Sequence, residues 1–203
     1  MKSIIKDSLI LFAITIIAGA LLGFVYKITK EPIAAQNEKT KIAAYNSVFS
    51  DLAEYESIDD LEAARLSMDN AGYEVVVLDE AVKAKASDGS MLGLILTVTE
   101  PEGYGGNIQF TIGIDMNGTI TGLEILDISE TAGLGMKAKE STFREQFIGI
   151  NAESVGYVKN GAEKTSSDID AISSATITTK AVTKGVNGAL CAYRSIMGGI
   201  AND

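Results

Sequence analysis

Nineteen consecutive residues, Ser8 to Tyr26, carry no charge. As a helix rising about 1.5 Å per residue, such a run reaches across the ~30 Å hydrocarbon core of a bilayer. Lys2 and Lys6 lie before it, and Lys27 and Lys30 after it. The run predicts one transmembrane anchor, which confines the folded domain to the chain beyond it. Ala18-Gly19-Ala20 has the small-residue pattern of a signal-peptide cleavage site, but Leu21 to Val25 carries the apolar run past that point. An uncleaved helix is therefore expected. No cysteine stands directly after the run, where a lipoprotein anchor would need one. Thr15, Gly19 and Gly23 recur every four residues and form a small-residue stripe. Such a stripe lets helix backbones approach closely in lipid, although glycine is also common in membrane helices for other reasons. Lysines stand on both sides, so the positive-inside rule does not choose an orientation.

The chain has 203 residues, enough for one anchor and one domain with a real core. It has no histidine and one cysteine, Cys191. That excludes a Ser/His/Asp triad, a Cys/His pair, an imidazole metal site, an internal disulfide and a four-cysteine iron–sulfur cluster. No catalytic residue and no metal ligand set is expected. Redox chemistry in this chain would need an organic cofactor or a partner's metal. Cys191 falls in an apolar helical stretch and reads as a small buried hydrophobe. Net charge is −10, with +3 on residues 1–30 and so −13 on the rest. This argues against a nucleic-acid partner; the acidic surface serves solubility or meets cationic partners.

Ile33 to about Met68 has helical spacing, with Ile42, Tyr45, Phe49 and Leu52 on one stripe and Pro32 where a helix could restart. Tyr73 to Leu78 reads as a strand, as does Leu92 to Thr99. Ile108 to Asp115 alternates apolar and polar residues throughout. Asn117-Gly118 supplies a hairpin turn, and Thr119 to Ser129 returns with a bulge expected at Gly122. Thr142-Phe143-Arg144-Glu145 has the form of a capping box. Ile177 to Ile196 forms a last amphipathic helix, with Val182, Val186, Leu190, Tyr193 and Met197 aligned. Strands grouped together with helices at either end predict an α+β domain with a mostly antiparallel sheet.

Asp168 to Lys180, DIDAISSATITTK, is dense in hydroxyls and ends at the start of that last helix. Free amides and the helix dipole favour an anion there, phosphate above all; an ordinary Ser/Thr N-cap accounts for the same residues. Asp170-Ala171-Ile172-Ser173-Ser174-Ala175-Thr176 resembles the flavinylation motif D-x-x-[ST]-G-A-[ST] of FMN-binding domains. These domains are found in the RnfG subunit of the Rnf complex and in the NqrC subunit of the sodium-pumping NADH:quinone oxidoreductase. Gly103-Tyr104-Gly105-Gly106, then Glu130-Thr131-Ala132-Gly133-Leu134-Gly135, then Gln146-Phe147 repeat the family's G-Y-x-G, E-T-P-G-L-G and Q-F in order. Two departures stand out: Ser174 replaces the motif's glycine and Ala132 its proline.

The resemblance implies an FMN joined by a phosphoester to Thr176, transferred from FAD by a separate flavin transferase that reads Asp170. It implies flavin contacts from Glu130, Thr131, Leu134 and Gly135, and from Ser173, Ser174 and Ala175 beside the acceptor. The expected organisation is an anchor over 1–30, a helical connector over 31–70 and an FMN-binding domain over 71–203. The expected role is electron transfer within a membrane-bound, ion-translocating ferredoxin:NAD⁺ oxidoreductase of Rnf type, beside its other membrane subunits and without catalysis in isolation. The equivalent subunit of a Na⁺-translocating NADH:quinone oxidoreductase and a flavin-free tether are the alternatives. The resemblance also implies a cytoplasmic N-terminus in the cell membrane and a flavin domain on the outer face. Gly133-x-Gly135-x-x-Ala138 fits a relaxed dinucleotide fingerprint, but no βαβ frame surrounds it.

Overall fold

The structure is a computed structural model that describes residues 2–159 and 163–200. It divides into two compact units after Ile42.

The first unit is the leading part of α1, a single helix over Lys2–Val48. An 18-residue window within it has a mean hydropathy of 2.6 and none of that window is buried. The helix is thus long and apolar enough to cross a membrane. It does not restart at Pro32, as the spacing suggested, but runs through it. Proline removes one amide from the i→i−4 ladder, and the turns on either side keep theirs.

The second unit contains β1 (Glu54–Ser57), α2 (Glu62–Asn70), β2 (Val77–Lys85), β3 (Met91–Glu100), β4 (Ile108–Asp115) and β5 (Ile120–Ile128). There follow α3 (Ser141–Arg144), β6 (Gly156–Val158), β7 (Asp168–Asp170) and α4 (Thr176–Ile200). Strands β1 to β5 form one antiparallel sheet in sequence order, and β6 pairs with β7 in parallel. This is the α+β class expected from the grouping of the elements.

Alternation along the central strands gives the sheet two apolar faces. Leu94, Leu96 and Val98 of β3 and Phe110, Ile112 and Ile114 of β4 face a core shared with Met68 of α2 and Val182, Val186 and Leu190 of α4. On the other face Ile95 joins Val82 and Ala84 beneath Tyr45, Val48 and Phe49. Burying each such aliphatic side chain is worth roughly 1.5–3 kcal/mol, so α4 is held by its length of apolar face. Residues 43–70, read from sequence as part of a connector, pack within this second unit. On the expected stripe Tyr45 and Phe49 are buried, whereas Ile42 is exposed.

Several local expectations need correction. The Val-rich run from Tyr73 is mostly a turn, because Tyr73 N–H donates to Met68 O at the end of α2 and Val76 N–H donates to Tyr73 O. The strand begins at Val77 and runs on to Lys85, where it pairs with β3. The bulge falls at Thr121 rather than Gly122, since Gly122 pairs with Gly113 and Ile120 with Ile114. A second bulge at Leu126 was not anticipated. Helix α3 begins at Ser141 after Glu140 and has no side-chain cap, so there is no capping box. The Asn117-Gly118 turn does form: Gly118 has φ +84°, and Asp115 Oδ1 accepts the Asn117 and Thr119 amides at 2.8 Å each.

Candidate functional site

The segment before α4 is a turn fixed from two sides. At its entry Asp170 N–H donates to Gln146 Oε1 at 2.7 Å, and Gln146 Nε2 donates back to Asp170 O at 3.4 Å. At its exit the buried Thr179 hydroxyl accepts Ile172 N–H and donates to Ala175 O, both at 3.0 Å. Between these ties Ser174 adopts φ +60°, the only positive φ outside glycine among the described residues. A left-handed conformation costs a β-carbon-bearing residue about 1–2 kcal/mol, which the surrounding bonds must offset. The positive φ stands where the resembling motif has glycine.

Thr176 is the first residue of α4 and is half-buried. The first bond of the helix runs from Thr179 N–H to Ala175 O, so the amides of Thr176, Ile177 and Thr178 sit in the dipole-positive first turn. Facing that turn is the Glu130–Gly135 loop, folded on itself by Leu134 N–H and Met136 N–H, which both donate to Thr131 O. Glu130 Oε1 accepts Tyr104 N–H at 2.8 Å. A β-carbon on Gly135 would lie 2.6 Å from both Glu130 Oε2 and Thr178 Oγ1, so only glycine leaves this floor open.

Between these walls lies a cleft of about 550 Å³. Of the residues singled out from sequence, Glu130, Thr131, Leu134, Gly135, Ser174, Ala175 and Thr176 line it. Ser173 and Asp170 do not; they face a shallower depression beside Gln146 and Lys137. The Asp170 carboxylate pairs with Lys164 at 2.8 Å. Tyr104, Ile177 and Thr178 also line the cleft and were not anticipated. Tyr104 lay within a recognised glycine motif, the one sequence signal that could have found it.

The cleft's volume suits a cofactor-sized ligand. Its helix N-terminus suits a phosphate. Its exposed apolar side chains, Tyr104, Leu134 and Ile177, suit a planar apolar body. FMN combines both features. Among the described residues no group of three or more His, Cys, Asp or Glu side chains could hold a metal ion.

Electrostatics elsewhere are local. Burial pushes the Glu100 carboxyl above its usual range, opposed by the Glu102 amide and by Lys184. The Thr165 amide and hydroxyl hold Asp168 below its own, in the stretch leading into β7.

Comparison with known proteins bears on this cleft. Residues 103–191 match the FMN-binding domain family, and residues 1–48 match the RnfG N-terminal region. The RnfG subunit of the Na⁺-translocating ferredoxin:NAD⁺ oxidoreductase complex of Acetobacterium woodii is 32% identical over 196 residues, covering 96% of this chain and 94% of that one. The chain belongs to the RnfG family. The corresponding subunit of the proton-translocating ferredoxin:NAD⁺ oxidoreductase complex of Clostridium ljungdahlii, another relative, is 29% identical over 96% of this chain and 97% of its own. Among solved structures, NqrC of Shewanella oneidensis superposes with a TM-score of 0.59 at 14% identity, covering 78% of this chain and 88% of that one. The NqrC-type subunit of the Na⁺-translocating NADH-quinone reductase of Parabacteroides distasonis gives 0.59 at 22%, covering 81% and 95%. At these identities the likeness is one of fold. The FMN-binding match spans the three glycine-rich and hydroxyl-rich segments that form the cleft.

Proposed function

We propose that this RnfG-family chain is the electron-transfer subunit of an ion-translocating ferredoxin:NAD⁺ oxidoreductase, carrying FMN as a phosphoester on Thr176. The observation that carries the reading is the Thr176 side chain at the first turn of α4, opening on a 550 Å³ cleft. Attachment would form a bond from Thr176 Oγ to the FMN phosphorus as the pyrophosphate of FAD breaks. AMP leaves and the hydroxyl proton is lost, with a flavin transferase as the catalyst and Asp170 in the segment it reads. Bound there, the flavin supplies one-electron chemistry that no side chain of this protein can.

The residues of the chain then bind and orient. The first-turn amides of α4 meet the phosphate, and Leu134, Ile177 and Tyr104 give the ring apolar walls. Glu130 and Thr178 offer polar atoms at the floor, where hydrogen bonds tune the potential. Ser174 and Ala175 shape the turn that aims Thr176, and Thr131 closes the opposite loop. Residues 1–30 anchor the chain beside the other membrane subunits, and residues 71–203 hold the flavin. The N-terminus is cytoplasmic and the domain lies on the outer face. The 32% identity to an Rnf-type relative over 96% of the chain favours this complex over its quinone-reducing counterpart.

Intact mass tests the attachment. Full-length chain co-expressed with a flavin transferase should gain FMN less one water, and Thr176→Ala should not. Retention of the added mass in Thr176→Ala would refute the site. Topology is tested separately by Ser87→Cys in the exposed β2–β3 turn, labelled with an impermeant thiol reagent on intact cells. Cys191 is buried and gives little background. Protection of Ser87→Cys with labelling of a cysteine near Lys2 would reverse the orientation.

A further inference from the structure

Tyr104 is 70% exposed, yet its backbone is closely held. Its N–H is tied to Glu130 at 2.8 Å. On one side, a β-carbon on Gly103 would strike the Gly106 carbonyl; on the other, one on Gly105 would strike the Ser129 carbonyl. The loop is thus pressed against the start of the Glu130 segment with no slack, and the phenol is the one side chain that leaves it between those glycines. An exposed tyrosine is ordinary by itself. Here the ring borders the same cleft as Leu134, 40% exposed, and Ile177, 53% exposed. Three large apolar side chains left uncovered around one concavity, one on a rigid backbone, are arranged for a flat apolar ligand.

We infer that Tyr104 stacks on the flavin ring and screens it from solvent. This rests on the reading that the cleft takes FMN. Stacking requires an aromatic plane; screening requires only bulk. A phenol in contact lends an electron to an excited flavin and recovers it, so light emission is lost with no net chemistry. Phenylalanine keeps the plane but is a far poorer donor, and leucine keeps neither property.

The full-length chain, loaded by co-expression with a flavin transferase and purified in detergent, is compared with Tyr104→Phe and Tyr104→Leu at matched flavin content. Flavin emission and its quenching by iodide are read. Emission should rise severalfold in both variants. Iodide access should stay as in the wild type for Tyr104→Phe and increase severalfold for Tyr104→Leu. Unchanged emission in a loaded Tyr104→Leu overturns the inference while leaving the flavin reading intact. A wild-type chain that carries no flavin instead overturns the reading beneath it. Should Tyr104→Leu fail to load, Tyr104→Phe decides: brighter emission with wild-type iodide access supports stacking, and unchanged emission refutes it.

Discussion

Glu100 makes a sharp test of the buried electrostatics. It ends β3 with 0% exposure, on the face covered by α4. One carboxyl oxygen accepts the Glu102 amide at 3.0 Å, and Oε2 has no hydrogen-bond partner among the described residues. Burial is the largest influence and raises the pKa; the Glu102 amide, Lys184 and Lys180 oppose it, while the Glu102 carboxylate adds to it. Lys184 is itself occupied by Glu102 at 2.6 Å. The folded state therefore holds the Glu100 proton more tightly than the unfolded chain does. At low pH both states are protonated and the residue costs nothing by ionisation. As pH rises through the ordinary carboxylate range towards the raised folded value, the unfolded chain ionises first and stability falls. Leaving one buried polar atom unsatisfied costs about 1–3 kcal/mol, and the two lysines offset part of that. Glu100→Gln keeps the acceptor and removes the charge. It should match the wild type near pH 4 and exceed it near pH 8, by at most the ~1–3 kcal/mol that a buried group without a full set of partners costs. Urea unfolding of the detergent-solubilised chain, followed by the emission of its seven tyrosines, measures this without interference from tryptophan. The lowered carboxylates Glu56, Asp88 and Asp168, which do not act on Glu100, contribute alike in both proteins and cancel in the difference. A difference between the two proteins that does not change with pH would refute the reasoning.

Ser174→Gly should stabilise the chain by about 0.5–1 kcal/mol, because glycine takes φ +60° without strain and gives back only part of the gain as chain entropy; a lower urea midpoint would contradict this. Thr179→Ala should destabilise by about 1–3 kcal/mol, since it orphans Ile172 N–H beneath the acceptor turn, and Thr179→Ser should restore most of the loss. Equal midpoints for alanine and serine would show that the hydroxyl does not hold the turn. Gly135→Ala drives a methyl to within 2.6 Å of Glu130 and Thr178, so its flavin absorbance should fall well below that of the wild type after co-expression with a flavin transferase. Full flavin content there would mean that the cleft floor is not used.

Sequence alone determined what depends on neighbours along the chain. An uncharged run gave a helix able to span a bilayer, because composition over nineteen residues decides that outcome. The alternation of Ile108 to Asp115, the Asn117-Gly118 turn and the apolar stripe of the last helix are local codes, and each appears at its place. Where several contacts compete, the local code was insufficient. The valines after Tyr73 have strand propensity, but the carbonyl of Met68 captures the Tyr73 amide and bends the run into a turn. Thr142 and Glu145 have capping-box spacing, but the chain enters α3 two residues earlier, with Glu140 at the N-cap position. The cleft itself is a tertiary product. Its walls come from the segments around residues 104, 130–135 and 174–178, and the antiparallel sheet and α4 bring them together. Motif resemblance supplied most of its lining residues. That Ile177 and Thr178 join them, while Ser173 turns to a neighbouring depression, depends on side-chain direction around the start of α4; Tyr104 joins from the loop between β3 and β4, and Asp170 faces the depression from the end of β7. The geometry there is set by the Gln146 and Thr179 hydrogen bonds, which link residues 24 and 7 positions apart in sequence.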